Sequence, residues 1–466
     1  MNGAGVKLER LPKPKIRFTT AAFHQYGERR AILASIQLGP PDLLQFSGND
    51  ASLQSSFARF GDLTLSSAFQ PIFSFSHHRP IGYEALLRAY DPARNEVEPL
   101  KVLNRSKARG RWNNLERGVQ LLHASNFVRV ANAHQRLFLN TRPEGFIISE
   151  GYRRLVEDTL ARLQLPPQRI VLEVLETPNG NIERLIDGIA SFRQQGFLIA
   201  LDDFGAGHSN IDRVWQLQPD IVKLDRSVIA QAAREPRVAR VLPRLVSLLH
   251  ETGALVLVEG VETQFEALLS MECDADFVQG FYFARPAPGS VDEESCRAVM
   301  DSLSEMFRAR VEVNTRAKTT LLSTYAVALQ TAAEKFCAGI DLPHASENLL
   351  RLEGAVRCFL LDARAFQIGD DVKAAQPCIS APNLSQSTAE PSGYCWDRRP
   401  YFRNAISELG KVQITEPYLS INGVHLCVTF SIAISANGSV WVMCVDADWR
   451  HIAGRYDLGN AATNMR

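Results

Sequence analysis

Short apolar runs that carry an acid, an amide or a lysine at or near their ends recur through the first half of this chain. The runs that read as strands are Ser67–Ser74, Leu137–Asn140, Ile170–Leu175, Leu198–Asp202, Ile221–Leu224, Leu255–Glu259 and Phe277–Gln279. Leu198-Ile199-Ala200-Leu201 is apolar without a gap, as is typical of a strand that is covered on both faces. Amphipathic helical stretches separate the runs: Trp112–Val128, Ile182–Gln195, Arg237–Thr252 and Thr263–Met271. Seven or eight such strand–helix units predict an α/β fold, a closed (β/α)8 barrel.

The polar residues of these runs predict a shared site. Barrel strands end at one rim, so side chains that are far apart in sequence meet there. The candidate ligands are five carboxylates and one amide: Glu84, Asn140, Glu173, Asp202, Asp203 and Glu259. Such oxygen ligands suit Mg²⁺ or Mn²⁺. Five crowded carboxylates would repel one another strongly without cations, so metal binding is the simplest explanation if they converge.

Composition excludes several classes of protein. Lys plus Arg equals Asp plus Glu at 51 each in 466 residues, so no overall basic field predicts binding to a nucleic-acid polymer. No apolar window approaches the roughly 20 residues of a membrane span, and the N-terminus lacks a secretory signal, so we expect a cytoplasmic protein. The eight cysteines form no CxxC pair, which argues against zinc. Scattered core thiols are expected, although a disulfide after residue 330 stays open.

Four segments follow from changes in composition along the chain. Residues 1–60 read as a partly ordered leader, and residues 61–290 as the barrel. Residues 291–335 lack Pro and Gly and predict a long connecting helix, with a break near Val311–Asn314 left open. Residues 336–466 alternate strand-like runs with turn signals and predict a separate α+β domain.

Eight segments, in order and spacing, resemble the EAL family of cyclic di-GMP phosphodiesterases over roughly residues 62–290. They are Phe69–Ile72, Tyr83–Arg88, Leu139-Asn140 with Pro143, Leu172–Glu176, Asp202–Ser209, Pro219–Asp225, Val258–Thr263 and Gln279–Phe283. The resemblance implies a modified TIM barrel that hydrolyses cyclic di-GMP to linear 5′-pGpG with two Mg²⁺ or Mn²⁺ ions. It also implies a homodimer.

The resemblance carries roles onto residues of this sequence. Glu84, Asn140, Glu173 and Asp202 resemble ligands of a first cation, and Asp202 and Asp203 ligands of a second. Glu259 and Gln279 would assist near the second cation. Lys223 is similar to the residue that contacts and helps to deprotonate the attacking water, and Asp225 would orient its surroundings. The substrate contacts would be Gln70, Leu86, Arg88, Gln279 and Asp225. Glu176 resembles the carboxylate that tethers a regulatory loop, which here comprises Phe204, Gly205, Ala206, Gly207 and His208.

The chain departs from the family pattern in that loop. The family more often has Thr at the position of Ala206 and Tyr at that of His208. Neither residue resembles a metal ligand, so the departures concern the conformation of the loop, the rate and the response to pH. No GGDEF-type motif supports synthesis of the messenger.

The C-terminal domain resembles PAS-like, Cache-type sensor domains through Trp396–Phe402, Pro417–Ser420 and Val428–Ala433. The resemblance implies a small pocket in which Arg399, Tyr401 and Tyr418 contact a carboxylate or similar ligand of unknown identity. These residues could equally pack the fold and support dimerisation.

Two other functions remain open. A catalytically silent receptor would bind cyclic di-GMP and signal through protein contacts, but such receptors usually lack a metal ligand, and none is missing here. A barrel hydrolase that acts on another phosphodiester is the second alternative.

Overall fold

The structure is a computed structural model of the whole chain. It describes residue 16 and residues 18–19, 45–50, 55–108, 112–146, 150–175, 182–207, 211–375, 393–420, 426–436 and 438–454. The chain divides into two compact units, Met1–Phe307 and Arg308–Arg466.

The first unit is built around a closed barrel. Its strands are β1 (Phe18–Thr19), β2 (Gln45–Asp50), β3 (Ser55–Phe60), β4 (Leu63–Ser74), β5 (Arg79–Tyr90), β6 (Glu96–Val97), β7 (Arg136–Thr141), β8 (Ile170–Val174), β9 (Leu198–Phe204), β10 (Ile221–Leu224), β11 (Leu255–Val258), β12 (Phe277–Val278) and β13 (Ser290–Val291). Eight of them close the barrel in the order β4-β12-β11-β10-β9-β8-β7-β5, and β5 pairs back onto β4. β4 is antiparallel to both of its barrel neighbours, and the other neighbouring pairs are parallel. The predicted modified TIM barrel is confirmed.

Helices alternate with these strands. They are α1 (Pro99–Ala108), α2 (Trp112–Val130), α3 (Glu150–Leu163), α4 (Ile182–Gln194), α5 (Ile211–Leu217), α6 (Arg226–Ala232), α7 (Pro236–Glu251) and α8 (Gln264–Glu272), with 3₁₀ turns at Pro143–Phe146 and Pro167–Arg169. Thr263 begins α8 with a capping box, in which its hydroxyl accepts from Glu266 N and the Glu266 carboxylate accepts from Thr263 N. The helices bury their apolar faces against the outward-facing strand residues in one large cluster.

Strand alternation places the polar residues inside the barrel. One buried apolar cluster takes one residue from each of seven strands, and five of these residues are Phe138, Val171, Ala200, Ile221 and Leu257. Two residues later on the same strands, or just beyond them, come the predicted site residues Asn140, Glu173, Asp202, Lys223 and Glu259. Side chains at i and i+2 share one face of a strand, so the apolar layer lies directly beneath the polar one.

A single helix, α9 (Glu293–Cys337), begins in the first unit and ends in the second. Cys296, Met300 and Leu303 are buried in the core of the first unit. The helix is continuous, so the break left open near Val311–Asn314 is absent. Val and Asn are weaker helix formers than Ala, but residues 311–314 contain neither Pro nor Gly, the residues that most strongly interrupt a helix.

The second unit is an α+β fold around an antiparallel sheet, as expected from its turn-separated strands. It comprises α10 (Leu342–Leu350), β14 (Ala355–Asp362), β15 (Gln367–Lys373), α11 (Pro400–Ser407), β16 (Gln413–Ile414), β17 (Tyr418–Leu419), β18 (Leu426–Ala436), β19 (Ser439–Asp448) and α12 (Trp449–Gly454). The strand order is β15-β14-β19-β18-β16, with β17 also pairing with β18. One sheet face packs with residues of α9 and α10, and the other packs with residues of α11.

No helix in the described ranges is long and apolar enough to cross a bilayer.

Candidate active site

Lys223 lies at the centre of the polar layer of the barrel. Its Nζ is 2.7 Å from Glu173 Oε1, 2.9 Å from Asp202 Oδ1 and 2.7 Å from Glu259 Oε1. The Lys223 side chain is only 1% exposed and the Glu173 side chain is fully buried. Three neighbouring strands, β8, β9 and β10, and the residue after β11 therefore supply one buried ammonium and three carboxylates.

Glu84 joins the cluster from β5 and is held on both sides by amides. Asn140 Nδ2 donates to Glu84 Oε1 at 3.0 Å, and Gln279 Nε2 donates to Glu84 Oε2 at 2.7 Å. These two bonds orient the carboxylate without neutralising its charge. Residues separated by nearly two hundred positions thus meet at one rim, as the sequence predicts.

Asp203 completes the set of acids at a strained position. Its φ is +56°, a left-handed conformation that is uncommon for a non-glycine residue and often marks a functional site. Carboxylate oxygens of Asp202, Asp203 and Glu259 all lie within 4.8 Å of one another. Successive residues of a strand normally point to opposite faces. The left-handed backbone at Asp203 instead lets the carboxylates of the two consecutive aspartates lie close together.

Burial and repulsion shift the proton affinities of this cluster. Burial raises the pKa of the Glu173 carboxyl well above its ordinary value, and the charges of Glu84 and Asp202 add to the rise while Lys223 opposes it. Burial also raises the pKa of Glu259 to about 8. Burial alone would lower the pKa of Lys223, but the surrounding carboxylates, Glu173 foremost, hold it well above its usual range. Lys223 therefore stays a charged ammonium in this arrangement, and its single positive charge does not balance the negative charges of the carboxylates around it.

The residues present fit a divalent cation. Among the described residues, no group donates a hydrogen bond to Glu173 Oε2 or Gln279 Oε1, although both atoms are buried. A buried carboxylate oxygen without a partner is costly, and the whole donor set consists of hard oxygens. One ammonium among five carboxylates leaves negative charge that Mg²⁺ or Mn²⁺ would compensate.

A pocket opens onto this rim. It is lined by Gln70, Glu84, Arg226, Glu259, Gly260, Glu262, Gln279, Gly280 and Phe281. The sequence analysis did not identify Arg226, Glu262 or Phe281 as site residues. A usable signal was available, because each of these residues follows a predicted site residue by one to three positions: Arg226 follows Asp225, Glu262 follows Glu259 and Phe281 follows Gln279.

The predicted substrate contacts divide into two groups. Gln70 lies in the pocket and donates to Ala284 O at 3.3 Å. Leu86 and Arg88 lie on β5 beyond Glu84 and are not among the pocket-lining residues; Arg88 donates to Leu87 O and faces Glu96 at 3.5 Å. Asp225 begins α6 and accepts from Ser227 N at 2.9 Å, which is a helix-capping role.

The predicted regulatory loop is described only in part. Phe204 is buried at the end of β9, whereas Gly205, Ala206 and Gly207 are exposed. Gly205 has a φ of +100°, and a Cβ there would lie 2.3 Å from Val228 Cγ2, so only glycine fits. Glu176 and His208 lie outside the described residues.

The three residues predicted to bind a ligand in the second unit lie together. Tyr401 is buried, its ring centroid is 6.2 Å from that of Tyr418, and Arg399 Cζ is 5.3 Å from the Tyr418 centroid. The Tyr418 hydroxyl is 2.6 Å from Thr429 Oγ1, which donates to Asp446. Among the residues that the structure describes, no group accepts from the buried Arg399 Nε.

Comparison with known proteins agrees with this architecture. The model of the EAL domain family matches residues 52–286. Cyclic di-GMP phosphodiesterase RocR of Pseudomonas aeruginosa is 34% identical over 146 residues, which cover 30% of this chain and 36% of RocR. Probable cyclic di-GMP phosphodiesterase PdeN of Escherichia coli is 28% identical over 224 residues, which cover 47% of this chain and 43% of PdeN. The chain therefore spans less than half of the length of these relatives.

A solved structure extends the similarity of fold beyond the barrel. The YkuI protein of Bacillus subtilis, which has an EAL domain and was solved in complex with substrate c-di-GMP and calcium, aligns with a TM-score of 0.69 at 19% identity. The alignment covers 82% of this chain and 96% of the YkuI chain. With a family model that matches half of its residues and the barrel that this family forms, the chain belongs to the EAL-domain family.

Proposed function

We propose that this protein hydrolyses cyclic di-GMP to linear 5′-pGpG with two divalent cations, Mg²⁺ or Mn²⁺. The observation that carries the proposal is the convergence of Glu173, Asp202, Glu259 and Lys223 beside the Glu84–Asn140 pair at the open end of the barrel. The names of RocR and PdeN, cyclic di-GMP phosphodiesterases, support the choice of substrate.

The cation ligands would be the oxygens of this rim. Glu84, Asn140, Glu173 and Asp202 would hold one ion, and Asp202 and Asp203 would hold a second. When bound, such ions lower the pKa of water and neutralise charge on the phosphate and the leaving oxygen.

The side chains of the chain itself then position the reactants. The Lys223 ammonium, which faces three carboxylates here, would donate to the attacking water when cations occupy those oxygens, and the surrounding carboxylates keep it charged by holding its pKa high. Glu259 lines the pocket beside Lys223, and its carboxylate would accept the proton that the water loses. Attack on phosphorus breaks the bond to the 3′-oxygen, so the product retains a 5′-phosphate.

Product analysis tests this function. Purified protein is incubated with cyclic di-GMP and Mn²⁺ or Mg²⁺, or with a chelator, and the nucleotides are separated by chromatography. The proposal expects pGpG only when a cation is present. Binding of cyclic di-GMP without any pGpG would instead establish the silent receptor, and turnover of other cyclic dinucleotides in preference would establish a different diesterase.

The second unit is proposed as a sensor. The binding of a small ligand near Arg399, Tyr401 and Tyr418 would be transmitted along α9. The loop after Asp203 would then change its conformation in a homodimer. Within the described part of the chain, nothing accepts a hydrogen bond from Arg399 Nε, and two aromatic rings lie beside this guanidinium, which supports an anionic ligand. Arg399→Met should abolish any effect of small carboxylates on turnover; an unchanged response would remove Arg399 from the sensor.

A further inference from the structure

Asn140 lies near the end of β7, where this strand has a neighbouring strand on one side only. β7 pairs with β5 up to Glu84 opposite Phe138, and with β8 up to Thr141 opposite Val174. In the described part of the chain, residues 139–141 therefore pair with β8 alone. The side chain of Asn140 still reaches β5, since its Nδ2 donates to Glu84 Oε1 at 3.0 Å. Contacts outside the β-ladder must help to fix the backbone from which this side chain projects.

One face of α2 supplies such contacts. Gln120 Nε2 donates to Asn140 O at 3.2 Å and to Thr141 Oγ1 at 3.0 Å. Glu116, one turn earlier on the same helix face, accepts from Arg142 N at 2.9 Å and from Arg142 Nε at 3.0 Å. Two adjacent side chains of α2 therefore hold three consecutive residues at the rim of the barrel.

The ion pair between Glu116 and Arg142 is itself firmly held. The exposed fraction is 11% for the Glu116 side chain and 22% for that of Arg142. Arg142 Nη2 also donates to Asn113 Oδ1 at 2.8 Å, and Arg142 Cζ lies 4.1 Å from the centroid of the Trp112 ring. Charge-assisted bonds that engage both oxygens of a carboxylate restrict the geometry of the pair. The chain that follows Asn140 is thus fixed to α2.

A fixed backbone matters more for Asn140 than for the acids around it. An amide oxygen is neutral, so a cation attracts it less strongly than it attracts the carboxylates of Glu84 and Asp202. Coulomb attraction can draw a misplaced carboxylate toward an ion, whereas a misplaced amide loses most of its contribution. Residues that hold a metal ligand in place commonly change metal affinity by roughly 10- to 100-fold.

We infer that Gln120, supported by the Glu116–Arg142 pair, is a positioning residue that orients Asn140 toward a cation at the rim. This inference rests on the proposed function in one respect, because it takes Asn140 as a cation ligand. Gln120 does not line the pocket, and its hydrogen bonds go to a carbonyl and a hydroxyl of β7 rather than to a carboxylate of the site. Its influence on the site therefore passes through Asn140.

Mn²⁺ affinity in a double-mutant cycle tests the inference. Titration calorimetry of chelator-treated protein gives the Kd for Mn²⁺ in the wild type, in Gln120→Met, in Asn140→Ala and in the double variant. Methionine keeps the length of the glutamine side chain but removes its donor, and Gln120→Leu repeats the test if the methionine variant does not fold. If Gln120 acts through Asn140, its replacement has nothing left to perturb in the Asn140→Ala background.

Asn126 provides a matched control on the same helix. Like Gln120, it donates to a backbone carbonyl and to a hydroxyl, but these are Ser56 O at 2.9 Å on β3 and Ser67 Oγ at 3.0 Å on β4. Asn126 is 1% exposed, so Asn126→Leu should lower the Tm by leaving buried polar groups without a partner. The Kd for Mn²⁺ of this control should stay within about twofold of the wild type, which separates a loss of stability from a loss of position.

We expect Gln120→Met to raise the Kd for Mn²⁺ roughly tenfold, and to change it by no more than about twofold in the Asn140→Ala background. The kcat/KM of Gln120→Met on cyclic di-GMP should be low at limiting Mn²⁺ and should recover at saturating Mn²⁺, because mass action then fills the weakened site.

Three results would overturn the inference alone. They are a wild-type Kd for Mn²⁺ in Gln120→Met, an undiminished loss in the Asn140→Ala background, and an equal loss in Asn126→Leu. The formation of pGpG tests the proposed function separately. The expected coupling without any pGpG would refute hydrolysis and leave the positioning role in place, whereas a wild type that binds no Mn²⁺ would refute both.

Discussion

Replacing Lys223 by methionine isolates the electrostatic balance of the site. Lys223 lies 2.7–2.9 Å from three carboxylates and is 1% exposed, so its loss leaves buried negative charge with no ammonium. Removing one partner from a buried ion pair typically costs roughly 3–5 kcal/mol. That corresponds to a fall of roughly 6–20 °C in the Tm of the first unit without cations.

Divalent cations should rescue this variant. A ligand that binds only the folded state stabilises by about 2.7 kcal/mol at 100 times its Kd. The gain from Mn²⁺ should be larger in Lys223→Met than in the wild type, because the ammonium no longer competes for the same oxygens. Loss of the ammonium also raises the pKa of Glu173 further above its unfolded value. The native variant then binds more protons than the unfolded chain, so its stability should fall as the pH rises from 6 to 8.

Thermal unfolding of chelator-treated protein, with and without added Mn²⁺, measures these effects. Lys101→Met is the matched control, because Lys101 forms an exposed pair with Glu98 and its loss should change little. If Lys223→Met without cations unfolds within about 1 °C of the wild type, the carboxylates do not depend on Lys223, and the electrostatic account of the site is wrong.

Three further predictions concern the first unit. Glu84→Ala should lower turnover of cyclic di-GMP at least roughly 100-fold, because even the loss of a residue that only supports a metal ligand typically lowers activity 10- to 100-fold. The circular dichroism spectrum should not change. Retained turnover would remove Glu84 from the cation site. Gly280→Ala should destabilise the folded protein by roughly 1–3 kcal/mol and displace Gln279, because the added Cβ would lie 2.0 Å from Val261 O. Chemical denaturation measures this loss, and wild-type stability would contradict the close packing. Burial lowers the pKa of His123 to about 3, so the histidine gains a proton between pH 8 and pH 5 in the unfolded chain but not in the folded protein. The wild type should therefore lose about 2 kcal/mol of stability over this range that His123→Gln retains. Equal losses in the two proteins would refute the burial effect.

The barrel could be predicted because its sequence pattern has a direct physical cause. Strands that are covered on both faces are apolar along most of their length. A polar residue near the end of such a strand therefore indicates that its side chain lies in a polar site. Phe138 and Asn140, or Leu257 and Glu259, show the rule, since each apolar residue precedes its polar partner on the same strand face. The roles assigned to these residues stay predictions until activity is measured.

Other features depend on tertiary structure and left no readable pattern. The antiparallel direction of β4 is set by its pairing with β5 and β12, which lie 5 and more than 200 residues away along the chain. The left-handed backbone of Asp203 could not be predicted either, because Asp tolerates this conformation better than most residues but adopts it only in a minority of cases. Arg226, at the start of α6, pairs with Glu262, between β11 and α8, and this ion pair is visible only in the folded chain. In the second unit, β14 pairs with β19 although about eighty residues separate the two strands along the chain, so local sequence patterns do not predict this pairing.

Anomalous diffraction from crystals of the wild-type protein with Mn²⁺ would test the shared cation site most directly. The account predicts manganese peaks at the rim of the barrel, bonded at about 2.0–2.2 Å to carboxylate oxygens of Glu84, Glu173 and Asp202. A fully occupied manganese site elsewhere, with Lys223 still in contact with Glu173, Asp202 and Glu259, would contradict it.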